Sequence, residues 1–439
     1  MLGRCKNFAL TLLTLAAFSP VFGNSVSLAG DEAVSSLRWR PGTIRIAISS
    51  SLLRENPNVK ADSDVAGAIG RSIATWSRIA NVEFQQINSE KLSASPAGAS
   101  GDGISLITIA ATPENVLLFA KDPENAAATT RVFYNRRGTI TEADIVLNPY
   151  QQFSTDGTTG TFDLESTLTH EIGHLLGLPH SAVLGSTMHA SNARNGVFGL
   201  HSFSTRTLSV NDIAAVRALY GGTEEDVNCC GSVDGRISFF GKQTRNLEVW
   251  IEDLGGRVHG SIRTEGREEF RFDGLNEGKY RVFAHELGRA KVAMPVQELG
   301  TVTVSAGETA QITARGGLSN RDMELGYMGF NGQLSEMAVP VTPGRSYTIY
   351  VGGRNLDPKR LSLSFSSPNL VLVPGTVRSL DYGPDVSVIS FELRVLSRTA
   401  KGEYSIYAES ERGDRRAIIG GLTVDDFINP WAAFSSLDE

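Results

Sequence analysis

"HEIGHLLGLPHSAVLGSTMHA", residues 170–190, gathers four of the chain's seven histidines into one short segment. Leu164, Leu168, Ile172 and Leu175 recur at helical spacing across its first half, which predicts a helix with one buried face. Residues four apart share a helix face, so His170 and His174 present their imidazoles side by side. Gly177 adopts positive φ at low cost and turns the chain out of the helix. Pro179 then discourages the helix from resuming, and the returning chain brings His180 toward the same point. Two such imidazoles suit tetrahedral Zn²⁺, which needs a third protein ligand and an open fourth position for water. Three neutral ligands leave its charge uncompensated, so a bound water is acidified to a pKa of about 7. Glu171 is angled off the histidine face, where it can take that water's proton and return it to a leaving amine. The ion in turn polarises a scissile carbonyl.

The spacing H-E-x-x-H-x-x-G-x-x-H, filled by His170, Glu171, His174, Gly177 and His180, resembles the zinc signature of the metzincin metallopeptidases. Ser181 after the third histidine, and Met188 eight residues beyond it, are similar to the matrixin branch. "RWRPGTIRIAI", the helix with Trp76, "ITEADIVLN" and "LSVNDIAAVRALYGG" follow in the order a matrixin catalytic domain uses. The resemblance covers residues 35–222 and implies an α/β (α+β) zinc metallopeptidase domain. By that resemblance His170, His174 and His180 are the metal ligands, Glu171 is the general base, and Met188 and Gly177 support the site. It implies one catalytic zinc, because the second, structural zinc of such enzymes needs earlier histidines and residues 1–169 contain none. Asp102 and Asp144 lie where the matrixin fold often binds calcium, and Asp144 is the better candidate for a Ca²⁺ ligand. The chain also departs from the pattern. No cysteine stands between the leader and the catalytic domain, so cysteine-based latency is absent. His189-Ala190 follows Met188 without the usual proline two places on, and Asn211 replaces one of the paired acids that begin the last helix.

Working outward, residues 1–29 read as a signal peptide, with Arg4 and Lys6 before the apolar run Phe8 to Phe18 and cleavage after Gly23 or Ala29. The expected location is therefore secreted and extracellular, periplasmic or cell-surface. No later stretch reaches membrane-spanning length, so no stable membrane span is expected. "TIRIAIS", "VEFQQI", "ISLITIA", "RVFYN" and "ITEADIVLN" are strand candidates; Val65, Ile69, Ile73 and Trp76 mark a helix. Ser209 caps another, with Asp212 three residues on and Gly221 as its stop. Residues 223–231 read as a polar linker. Beyond it, short alternating segments with Gly, Asn and Asp turns predict two β-sandwich domains, 232–322 and 323–425, before a tail at 426–439. The run from Phe270 to Val282 in the first is similar to carboxypeptidase regulatory-like domains, and the second is Ig-like. The fold class is thus multidomain: a metzincin catalytic domain followed by two β-sandwiches. Cys229 and Cys230 are adjacent and staple no distant segments together, whether bonded to each other, paired between chains or free.

With 41 Lys and Arg against 48 Asp and Glu, net charge −7, the chain carries no basic footprint and nucleic acid is not an expected partner. The expected function is a secreted zinc-dependent metalloendopeptidase acting on protein or peptide. Its substrate would extend along an edge strand, taken to be Ile140–Asn148. The β-domains are candidates for glycan or surface binding, or for stabilising the protein. The rival readings are a surface binding or adhesion protein with an inactive peptidase-like domain, and a zinc hydrolase acting on something other than peptides.

Overall fold

The structure is a computed structural model that describes residues 24–27, 37–98, 100–121, 123–201, 203–226, 229–240 and 245–426. The leader and the tail read from the sequence lie outside these residues, apart from 24–27 and Asp426.

The first unit is built on a six-stranded sheet. Its strands are β1 (Asn24–Ser27), β2 (Thr43–Ser49), β3 (Glu83–Ser89), β4 (Ser105–Thr108), β5 (Ala128–Tyr134) and β6 (Ile140–Leu147), in the order β1-β5-β6-β4-β2-β3. β3, β2, β4 and β6 pair in parallel; β5 runs antiparallel to β6 and to β1. Ile44, Ile46 and Ile48 of β2 are buried as the alternation implies, but Ala47 and Ser49 are buried too, so the second half of β2 is covered on both faces rather than one. Helix α1 (Val65–Ser77) is capped by Asp64, whose carboxylate accepts the Gly67 amide, and it buries Ala68, Ile69, Ile73 and Trp76. Those side chains pack with Leu168, Ile172 and Leu175 of α2 (Leu164–Leu175) in the main core. The Trp76 indole donates to the Thr169 carbonyl at 2.8 Å, and Ser72 Oγ to that of Glu165 at 3.0 Å, which fixes α1 against α2. α3 (Val210–Tyr220) starts with a capping box between Ser209 and Asp212 and stops at Gly221.

The sheet order corrects one expectation. β6 is no edge: β5 flanks it on one side and β4 on the other. Its consecutive buried residues Ile145, Val146 and Leu147 fit a strand covered on both faces. The strand on the outer side of β6 is β5, and the far edge of β5 is taken by β1, with Ser27 opposite Arg131.

Beyond α3, Thr223–Asp226 connects to a strand that already begins at Cys229, so the connector is shorter than its polar composition suggests. Cys229 and Cys230 are disulfide-bonded to each other. A three-stranded sheet (269–276, 229–238, 309–315) faces a four-stranded one (258–263, 247–253, 278–286, 297–304). Val233, Val249, Phe270, Phe272 and Val282 fill the space between them. The last unit pairs a six-stranded sheet with a four-stranded sheet (339–341, 415–424, 402–410, 361–365) over Met328, Val351, Phe391, Ile406 and Leu422. Among the described residues, no helix is long and apolar enough to cross a membrane.

Candidate metal centre

Helix α2 positions the first half of the site. Asp163 caps it by accepting the Ser166 amide at 2.8 Å, and all twelve of its residues are buried. At its other end the Gly177 amide donates to the His174 carbonyl and the Leu178 amide to that of Gly173. Gly177 sits at φ 97°, and a side chain there would run into the Leu37 carbonyl. The Trp39 indole and the Tyr220 hydroxyl donate to the Leu175 and Leu176 carbonyls, so the helix end is satisfied although buried.

The turn folds His180 back onto the helix. One ligand atom from each of His170, His174 and His180 lies within 4.8 Å of the others. His174 Nε2 and His180 Nε2 are 3.1 Å apart. Two nitrogens on one tetrahedral zinc at 2.0–2.1 Å would be separated by about 3.3 Å, so this pair has the right spacing. The orientation is set from behind. His170 Nδ1 is 2.7 Å from the Thr187 carbonyl, and His174 Nδ1 is 2.8 Å from that of Leu178. A carbonyl only accepts, so each Nδ1 carries its proton and each Nε2 lone pair points into the cluster. Burial holds the His174 imidazole far below its ordinary pKa, with His170 and His180 adding to the effect. Burial likewise pushes His180 down to about 3. Closely spaced imidazoles, two of them oriented through Nδ1 by backbone carbonyls, fit a bound zinc ion.

Glu171 stands beside His170 at 2% exposure. Burial raises its pKa, opposed by His170 and by Thr130, whose hydroxyl donates to Glu171 Oε2 at 2.5 Å. Thr130 belongs to β5, so the strand at the outer side of β6 runs past the carboxylate. Met188 is buried beneath the helix, where it is a neighbour of Trp76. The backbone of α2 comes close enough because residue 173 is glycine: a Cβ there would collide with Met188 Sδ and lie 2.9 Å from Trp76.

Asp212 was legible as a capping residue but has a second task. Its carboxylate accepts the Ser186 hydroxyl at 2.5 Å and the Thr187 amide at 2.8 Å, pinning the turn that carries Met188. Neither this role nor that of Thr130 had a sequence signal. Asp144 is fully buried and clamps a loop instead, with Ser95 and Leu106 amides on its two oxygens at 2.7 and 3.0 Å. Burial pushes its carboxyl up to about 7. Asp102 pairs with Lys91 at 2.5 Å. Among the described residues, neither aspartate joins the metal-competent cluster. His189 Nδ1 accepts the Ser191 amide, and burial lowers its pKa to about 4; His201 Nδ1 is 3.0 Å from the Gly157 carbonyl.

Residues 38–221 match the family model described as matrixin. This segment is a matrixin domain. Metalloendoproteinase 1 of Glycine max is 28% identical over 199 residues, which is 42% of this chain and 53% of that protein. Metalloendoproteinase 1-MMP of Arabidopsis thaliana is 29% identical over 195 residues, 42% of this chain and 44% of the relative. The chain therefore spans about half the length of these relatives; the residues that match the family model, 38–221, include the histidine cluster. Among solved structures, Bacteroides ovatus SGBP-B of a mixed-linkage glucan utilization locus, in complex with a mixed-linkage heptasaccharide, is 14% identical. That match covers 44% of this chain and 43% of the other at a TM-score of 0.16, too low to carry an argument.

Proposed function

We propose that this protein is a secreted zinc-dependent metalloendopeptidase that hydrolyses peptide bonds of extracellular proteins. The observation that carries the reading is the orientation of the cluster: carbonyls of Thr187 and Leu178 turn His170 and His174 toward His180, and a buried carboxylate stands next to them. Zinc held by these three side chains would supply a Lewis acid for a water and for a scissile carbonyl. The remaining work falls to the chain itself. Glu171 Oε1 or Oε2 takes the proton of the attacking water and delivers it to the nitrogen of the leaving amine. Burial raises its proton affinity, which favours the pickup; the Thr130 hydroxyl holds one oxygen and so orients the other. Met188 and Trp76 close off the far side with apolar surface.

The substrate peptide would lie along β5 by β-augmentation, taking the place of residues 24–27 on that edge. Two facts support this placement: β5 touches Glu171 through Thr130, and its outer edge already accepts an extended segment in antiparallel register. A catalytic zinc is the only cofactor this mechanism uses.

The test is cleavage of casein and of a peptide library by purified protein, with and without chelator, beside Glu171→Ala. Zinc-loaded wild type should cleave, and chelated protein and Glu171→Ala should not. No cleavage by the zinc-loaded wild type leaves the reading of a binding protein with an inactive peptidase-like domain. Equal cleavage by Glu171→Ala removes the general base.

A further inference from the structure

The segment between His180 and Met188 is held from outside the matrixin domain. The Leu184 amide donates to the Ile419 carbonyl at 2.9 Å and the Gly185 amide to the Gly420 carbonyl at 3.1 Å, both on the last strand of the C-terminal sandwich. Val183 is fully buried, packed with Trp250, Val258 and Phe283 of the middle domain and Tyr407 and Ile419 of the last. Ser181 Oγ accepts from Asn211 Nδ2 at 2.9 Å, while Asn211 Oδ1 accepts the Ser261 amide of the middle domain at 3.0 Å. Further along, Phe198 is buried in the core of the C-terminal sandwich, and Asn331 donates to its carbonyl at 2.8 Å. The same loop closes on itself where the Ser181 amide donates to the Met188 carbonyl. Displacing its tip therefore moves both ends, and these adjoin a metal ligand and the floor of the site.

We infer that the two β-domains position the metal centre, with Gly420 and Val183 as the residues that seat the His180–Met188 loop on the C-terminal sandwich. Gly420 sits at φ 63°, and a Cβ there would collide with Val183 Cγ1, so the seat is made for a bare backbone. The zinc ligands are chosen as in the proposed function, but the seat is tested by metal binding apart from catalysis.

The experiment uses full-length protein and four forms: wild type, Gly420→Ala, Val183→Ala and the double variant. Affinity for Co²⁺ and the visible absorption of the Co²⁺ complex are measured alongside peptide cleavage. Substitutions behind metal ligands typically weaken binding by about 10–100-fold, so Gly420→Ala should lose at least about tenfold and shift the Co²⁺ spectrum. Val183→Ala removes the atoms the new methyl would strike but not the strain of alanine at φ 63°, so the double variant should recover part of that affinity and move back toward the wild-type spectrum. A folded Gly420→Ala with unchanged affinity and spectrum overturns the inference, as does a double variant no better than the single. If Gly420→Ala does not fold, Val183→Ala alone should still measurably weaken Co²⁺ binding, and unchanged binding counts against the seat. A wild type that binds Co²⁺ but cleaves nothing sinks the proposed function and leaves this inference standing.

Discussion

Thr130 donates its hydroxyl to the Glu171 carboxylate at 2.5 Å inside a buried site. A hydrogen bond to a charged group contributes about 1.5–3 kcal/mol, so Thr130→Val should lower kcat roughly tenfold or more. Thr130→Ser, which keeps the donor, should stay near wild type; steady-state kinetics on one peptide decides this. Gly173 makes a different kind of prediction. A methyl there meets Met188 and Trp76, and overpacking of that sort costs about 1–3 kcal/mol. Gly173→Ala should therefore lower the urea midpoint without changing the slope, and Met188→Ala in the same chain should restore part of it. The motif residues were legible because helix and turn geometry are local. Thr130 was not, because it lies about forty positions upstream, on a strand whose neighbours the sequence does not name.

At the scale of elements, strand identity was easier to read than strand order. The alternation in "TIRIAIS" marks β2 residue for residue, and Ser209 and Asp212 mark the start of α3. Ile140–Asn148 is expected at an edge, yet "IVL" within it is a continuous apolar run, which belongs to strands buried on both faces. The contact between α3 and the C-terminal sandwich was invisible. There Glu403 is buried near Asp212, with no hydrogen bond to its Oε2. Burial, then repulsion from Asp212, raises its carboxyl from 4.5 to about 8. The folded chain thus holds a proton that the unfolded chain releases. Its stabilising contribution is complete below pH 4.5 and is lost as pH climbs toward about 8. Wild type should lose more stability than Glu403→Gln between pH 5 and pH 8, measured as the difference in melting temperature. Equal losses would contradict this assignment.

For the whole molecule, the matrixin domain and the two sandwiches share side chains at their boundaries rather than meeting through a loose connector. Val183, Trp250, Phe283, Tyr407 and Ile419 form one apolar cluster drawn from all three. A metal that binds the histidine cluster of the folded form alone would stabilise it by mass action: about 4 kcal/mol at a thousandfold excess over Kd. Because the loop is seated on the sandwiches, chelation should lower the melting of the whole chain as one transition. Two transitions, with only the first sensitive to chelator, would show that the domains unfold independently.

The sequence by itself determined which three histidines converge, that Glu171 stands beside them, and the turn at Gly177, since each depends on spacing within about a dozen residues along one helix and its exit. It also determined the class of each unit, through hydrophobic period and turn chemistry. Tertiary structure alone decided which strand lies beside Glu171, which carboxylates clamp loops and which pin the Met188 turn, and that the C-terminal sandwich reaches the loop between His180 and Met188. Those facts depend on contacts between segments far apart in the chain, and the packing of separate surfaces leaves no periodic trace in the sequence of either partner.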